Sequence, residues 1–117
     1  MSDSMKRQIA GLVSALLLVG PSAANAQSSS GLAPDAGAGK RRGAVCFACH
    51  GTQGVSAIPG VPNLGGQNRM YLEKALRAYR DGQRKDPAMT EMAKPLSEAD
   101  IANISSYFNL QSRMNQR

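Results

Sequence analysis

The sequence predicts an all-α domain of three main helices separated by two irregular stretches. Three observations carry that prediction. Apolar residues recur at spacings of three and four in segments that open on capping residues. The segments between them are rich in Gly and Pro and follow no period. No segment alternates apolar and polar residues as a half-buried strand would, and no internal repeat is visible.

The chain has 117 residues, enough for one domain. Its start has the three parts of a secretory signal over residues 1–26. Lys6 and Arg7 form a basic head, Ile9 to Val19 an apolar run, and Ala24-Asn25-Ala26 a small-residue cleavage site. The run is broken by Gly11 and Ser14 and is too short to span a bilayer, so no membrane span is expected once it is removed. An uncleaved anchor or a buried helix is the alternative. Residues 27–34, QSSSGLAP, read as a flexible leader, and residues 35–117 as the domain.

Asp35 is placed to cap a first helix through AGAGKRRGAVCFA. Gly39 and Gly43, four apart, share a face on which another helix can approach closely; otherwise they only weaken this helix. Gly51 to Gly66 is a loop by composition, and long enough to suggest that it wraps around something. Asn68 caps a second helix with an apolar stripe of Tyr71, Leu72, Ala75, Leu76 and Tyr79, and Gly82 stands where that helix should end. GQRKDPAMTEMAKP reads as the second irregular stretch. Ser97 opens the last helix, with Asp100 as a weaker capping-box partner and Ile101, Ile104 and Phe108 on its buried face.

A domain of this size with no Trp and five Phe and Tyr residues is short of core material, and such domains commonly borrow stability from a cofactor, metal or disulfide. The only two cysteines, Cys46 and Cys49, are too close in sequence for a disulfide to restrain much of the unfolded chain. A bulky apolar cofactor would supply core more effectively. Removing the signal leaves 12 basic and 7 acidic residues, a net charge of +5. The balance suits acidic protein partners; it is too weak for nucleic acid, and no aromatic-basic stacking pattern accompanies it.

The sharpest motif is Cys46-Phe47-Ala48-Cys49-His50. Two thiols three residues apart can reach the two vinyl groups of one porphyrin, and the adjacent imidazole can turn under the ring to the iron; this is the signature of covalent haem attachment. A thioredoxin-like pair would need a βαβ unit, which is absent from the pattern. A structural zinc site needs four ligands, and the chain has no other Cys or His. With His50 the only histidine, the sixth iron position falls to another donor, for which methionine is the usual choice. Met70 lies at a helix start and Met114 in the tail. Met89 and Met92 lie in the second irregular stretch, far enough along for the chain to circle the ring, with core filling as their alternative role.

With these residues the chain resembles the class I c-type cytochromes, and most of all one half of the two-haem bacterial periplasmic cytochromes and their single-haem relatives. The likeness covers nearly the whole of residues 35–117. It rests on Gly39-Lys40, CFACHG at Cys46 to Gly51, VPNLGGQ at Val61 to Gln67, Tyr71-Leu72, MTEMAKPLS at Met89 to Ser97, and Ile104 to Phe108. The resemblance implies the class I cytochrome c fold around one covalent haem c and a periplasmic location. It implies that the Pro62 carbonyl accepts a hydrogen bond from the proximal imidazole, with Pro59 as the rival, and that Leu64 lies against the haem face. Counting back from Leu96 by the family register makes Met89 the axial ligand and leaves Met92 for packing. Gln67 and Tyr71 fall where they would meet a propionate. Two departures stand out: only one haem motif is present, and Arg41 and Arg42 occupy places where an apolar residue would pack the first helix on Phe108.

With both axial positions filled by protein, the expected function is one-electron carriage between redox partners and not enzymatic turnover. Lys40, Arg41 and Arg42, with Arg84 and Lys85, would steer an acidic partner to the haem edge; a merely solvated basic surface is the alternative. The competing functions are a haem subunit held on a periplasmic dehydrogenase, and a haem sensor or peroxidase-like protein with an open sixth position.

Overall fold

Asp35 caps the first helix as predicted. In the computed structural model, which describes residues 33–114 and Gly20, its backbone is extended and its Oδ1 accepts from the Ala38 amide at 3.0 Å. The secretory signal expected over residues 1–26 and most of the leader expected over 27–34 lie outside the described residues, as does the side chain of Met114. Helix α1 runs Ala36–Arg42, tightens into a 3-10 turn over Gly43–Cys46, and resumes as α2 over Phe47–His50. The helical run therefore reaches His50, two residues beyond the expected end, and is not uniform. Gly43 and β-branched Val45 are weak α-formers, and the chain takes the tighter turn there.

Helix α3, Arg69–Arg80, is capped by Asn68, whose Oδ1 accepts from the Tyr71 amide at 3.0 Å. Leu72 is buried, with Leu76 and Tyr79 half-buried behind it on the same stripe. The second irregular stretch departs from expectation, because it contains a further helix, α4, Pro87–Ala93. Asp86 Oδ1 accepts from the Ala88 and Met89 amides at 3.0 and 2.9 Å, and Pro87 occupies the first turn, where its missing N–H costs nothing. The Gly and Pro content flanking this segment hid a cap that Asp86-Pro87 announces.

Helix α5, Glu98–Met114, opens on the reciprocal cap expected of Ser97 and Asp100. Each side chain accepts from the other's amide at 3.0 Å. Among the described residues there is no strand, and no helix is long and apolar enough to cross a membrane.

The core comprises Leu72, Ala93, Leu96, Ile101, Ile104, Tyr107 and Phe108. Phe47 joins it from α2, with its ring edge-on to Phe108 at 6.0 Å and tilted to Tyr107 at 5.6 Å. The Gly39–Gly43 face is a helix-packing face. A Cβ on Gly39 would stand 1.9 Å from the Asn103 carbonyl oxygen, so only glycine allows this approach of α1 to α5. Arg42 is also accounted for: it pairs with Asp100 at 3.3 Å, while the glycines and Ile104 make the helix contact that an apolar side chain would otherwise provide, and Arg41 is exposed.

Candidate haem site

The motif residues sit where the first helical run ends. Both thiols are free, Cys46 half-buried and Cys49 exposed. Burial pushes the Cys46 thiol up, against the opposing pull of the Arg42 charge. His50 is 7% exposed, and its Nδ1 lies 2.8 Å from the Pro62 carbonyl oxygen. That oxygen can only accept, so Nδ1 carries the proton and Nε2 keeps its lone pair for a metal. The contact is to Pro62 and not to Pro59.

Gly51 makes the turn that lets Pro62 come back to His50. Its φ is +81°, and a Cβ there would stand 2.1 Å from the Val55 oxygen. The loop then closes on itself, with the Leu64 and Gly65 amides donating to Gly54 O at 2.8 and 3.0 Å. Ser56 Oγ donates to Cys49 O at 2.8 Å, and the Ser56 amide donates to Asn63 Oδ1 at 2.8 Å. These two bonds tie the attachment motif to the residue beside Pro62. Three successive residues of α5 hold the ends of the loop. Tyr107 donates to Thr52 O at 2.6 Å, Phe108 O accepts from Gly66 at 2.9 Å, and Asn109 Nδ2 donates to Gln67 O at 2.8 Å.

Sequence reasoning missed Ser56, Asn63, Tyr107 and Asn109. Asn63 was open to notice as a turn-forming residue beside a proline. The α5 residues bond partners more than forty positions away and left no local trace.

Leu64 is half-buried at the core margin. Gln67 spends its Oε1 on the Asn68 amide at 2.8 Å, and Tyr71 is exposed on the first turn of α3. Met89 and Met92 both lie on α4, Met89 half-buried and Met92 48% exposed. The packing role expected of Met92 is therefore not filled within the polypeptide, because α4 turns that side chain away from the protein core. Val45, Val55, Ile58, Met70 and Tyr71 are likewise between 44% and 71% exposed.

The residues present fit a covalently bound haem. There are two free thiols at the required spacing, an adjacent imidazole whose Nε2 keeps a lone pair, a small core, and apolar side chains that the polypeptide leaves uncovered. Residues 33–108 match the family model described as cytochrome C oxidase, cbb3-type, subunit III. Cytochrome c-554(548) of Halomonas halodenitrificans is 50% identical over 82 residues, a match covering 68% of this chain and 99% of that protein. The chain belongs to the c-type cytochromes. Cytochrome c4 of Pseudomonas aeruginosa is 45% identical over 65% of this cytochrome and 38% of its own length. The crystal structure of reduced recombinant cytochrome c4 from Pseudomonas stutzeri superposes with a TM-score of 0.62 at 42% identity, covering 66% of this cytochrome and 45% of that chain. This cytochrome thus spans under half the length of the c4 proteins it matches, and nearly all of c-554(548).

Proposed function

We propose that this cytochrome is an exported, periplasmic one-electron carrier with one haem c, bonded to Cys46 and Cys49 and held at its iron by His50 and Met89. The observation that carries the reading is the His50 Nδ1–Pro62 O contact of 2.8 Å. A ring fixed by that bond presents Nε2 in one orientation and is a stronger donor for it. Held by Cys46, Cys49, His50 and Met89, the haem would supply one-electron ferrous–ferric chemistry. The polypeptide orients the imidazole, brings a methionine from α4 and shields the apolar faces. Leu64 would lie along one face, with Gln67 and Tyr71 near the propionates.

The absorption spectrum of the oxidised protein tests the sixth ligand through its weak sulfur-to-iron band. Met89→Ala is expected to abolish the band and Met92→Ala to retain it; the opposite pattern assigns the iron to Met92. Carbon monoxide should not bind the reduced wild type at neutral pH, and its binding would support the sensor or peroxidase-like function. Co-purification with a larger subunit would make the protein part of a dehydrogenase complex, whereas a free protein in periplasmic extract is the expected result.

The docking surface is narrower than the charge clusters suggested. Arg42 is engaged with Asp100, and the Arg84 guanidinium lies over the Tyr79 ring at 4.8 Å. Lys40, Arg41 and Lys85 remain exposed for an acidic partner. Their contribution should appear in the rate of electron exchange with such a partner, falling as salt is raised, with a shallower dependence in Lys85→Gln.

A further inference from the structure

Residues 81–97 carry both Met89 and Met92 and connect the end of α3 to the start of α5. Much of the hydrogen bonding in this stretch is internal. Asp86 caps α4, Lys94 pairs with Glu91, and the Leu96 amide donates to Ala93 O at 3.0 Å. Ala93 and Leu96 anchor its second half in the core. Backbone bonds from the Asp81, Gly82 and Arg84 amides tie its start to the last turn of α3, and Ser97 shares the α5 cap with Asp100. One side chain, that of Arg80, the last residue of α3, reaches both of its ends.

Arg80 Nε donates to Asp81 Oδ1 at 2.8 Å, at the point where the stretch leaves α3. Its Nη1 donates to Leu96 O at 3.4 Å, just before the stretch rejoins α5, and its Nη2 to Glu98 Oε1 at 2.7 Å, in the first turn of α5. One planar guanidinium therefore joins both ends of the segment. Arg77 supports it from one turn earlier, its Nε donating to Glu98 Oε2 at 2.7 Å, while Glu73 pairs with Arg77 and Arg69 along α3. A single exposed ion pair does little for stability. A fork that holds a group at the start of the stretch, one at its end and one in the first turn of α5 restricts loop opening in a way that a point charge does not.

We propose that Arg80 is a positioning residue that clasps both ends of the methionine-bearing stretch and sets how often that stretch swings away from the iron. The iron side of this proposal rests on methionine ligation; the clasp itself does not. Nor does it depend on which of the two methionines is the ligand, since both lie inside the clasped segment.

The test uses the haem-loaded full chain with Arg80→Gln and Arg80→Lys, the latter keeping the charge but losing the fork. Amide hydrogen exchange over residues 88–94 should quicken about tenfold in both variants while amides of residues 101–108 stay within about twofold of wild type. Imidazole should bind the oxidised variants about tenfold faster, because its entry waits for the methionine to leave. Exchange over residues 88–94 that is unchanged, or that rises in parallel with residues 101–108, would overturn the clasp. Survival of the sulfur-to-iron band in both Met89→Ala and Met92→Ala would remove the ligand assignment instead, and the exchange rates would still decide the role of Arg80.

Discussion

Ser105 lies fully buried on α5, and its hydroxyl has no hydrogen-bond partner among the described residues. A buried hydroxyl left unpaired costs more than it returns, so Ser105→Ala should leave stability unchanged or raise it by about 1 kcal/mol, read from the denaturant midpoint. Gly39 predicts the opposite. Its missing Cβ is what seats α1 on the Asn103 carbonyl, and backbone cannot give way as a side-chain tip can. Gly39→Ala should cost about 2 kcal/mol or more, through displacement of α1. Gly60→Ala is the matched control: its φ is +82° but nothing lies within 4 Å, so only the backbone cost of about 1 kcal/mol is expected.

Helix α4 is the element on which the iron assignment turns, and it is short. Its start depends on Asp86, which accepts from two amides, one of them that of Met89. Asp86→Ala should cost about 1 kcal/mol of local stability and weaken the sulfur-to-iron band as the helix frays. The residues that cap α1, α3 and α5 were legible in the sequence because Asp35, Asn68 and Ser97 each act on an amide within three positions. The attachment motif was legible for the same reason. The 3-10 turn and α4 were not, since weak local preferences at Gly43 to Cys46 and a seven-residue helix set between Gly82 and Pro95 are resolved by packing. The loop anchors at Tyr107, Phe108 and Asn109 were beyond any local reading, because each joins positions far apart in the chain.

Carboxylates link these elements together. At Asp100 burial works against the charged form, but bonding to the Ser97 amide and the nearby Arg42 outweigh it and hold the carboxyl low. Hydrogen bonds from Arg77 and Arg80 lower Glu98, and one from Arg80 lowers Asp81. Groups held low in the folded state add stability that is complete above their unfolded pKa, about 4. That stability is lost as pH falls through the lower folded values. The thermal midpoint of the haem-loaded protein should therefore decline below about pH 4, and less steeply in Asp100→Asn. The small core predicts a further dependence. Cys46→Ala/Cys49→Ala, unable to hold haem covalently, should lose much of its helical circular dichroism and its cooperative unfolding.

The seating of Gly39 on Asn103 and of Gly43 on Ile104 also imposes an order on biogenesis. These contacts join the first and last helices, so the domain cannot close until nearly all of its residues are available to fold. Until that moment Cys46 and Cys49 belong to an open chain. The tight helix crossing that ends folding thus leaves an interval in which the Cys46–His50 turn is unconstrained, and after it Phe47 is held against Tyr107 and Phe108 while Cys49 stays exposed.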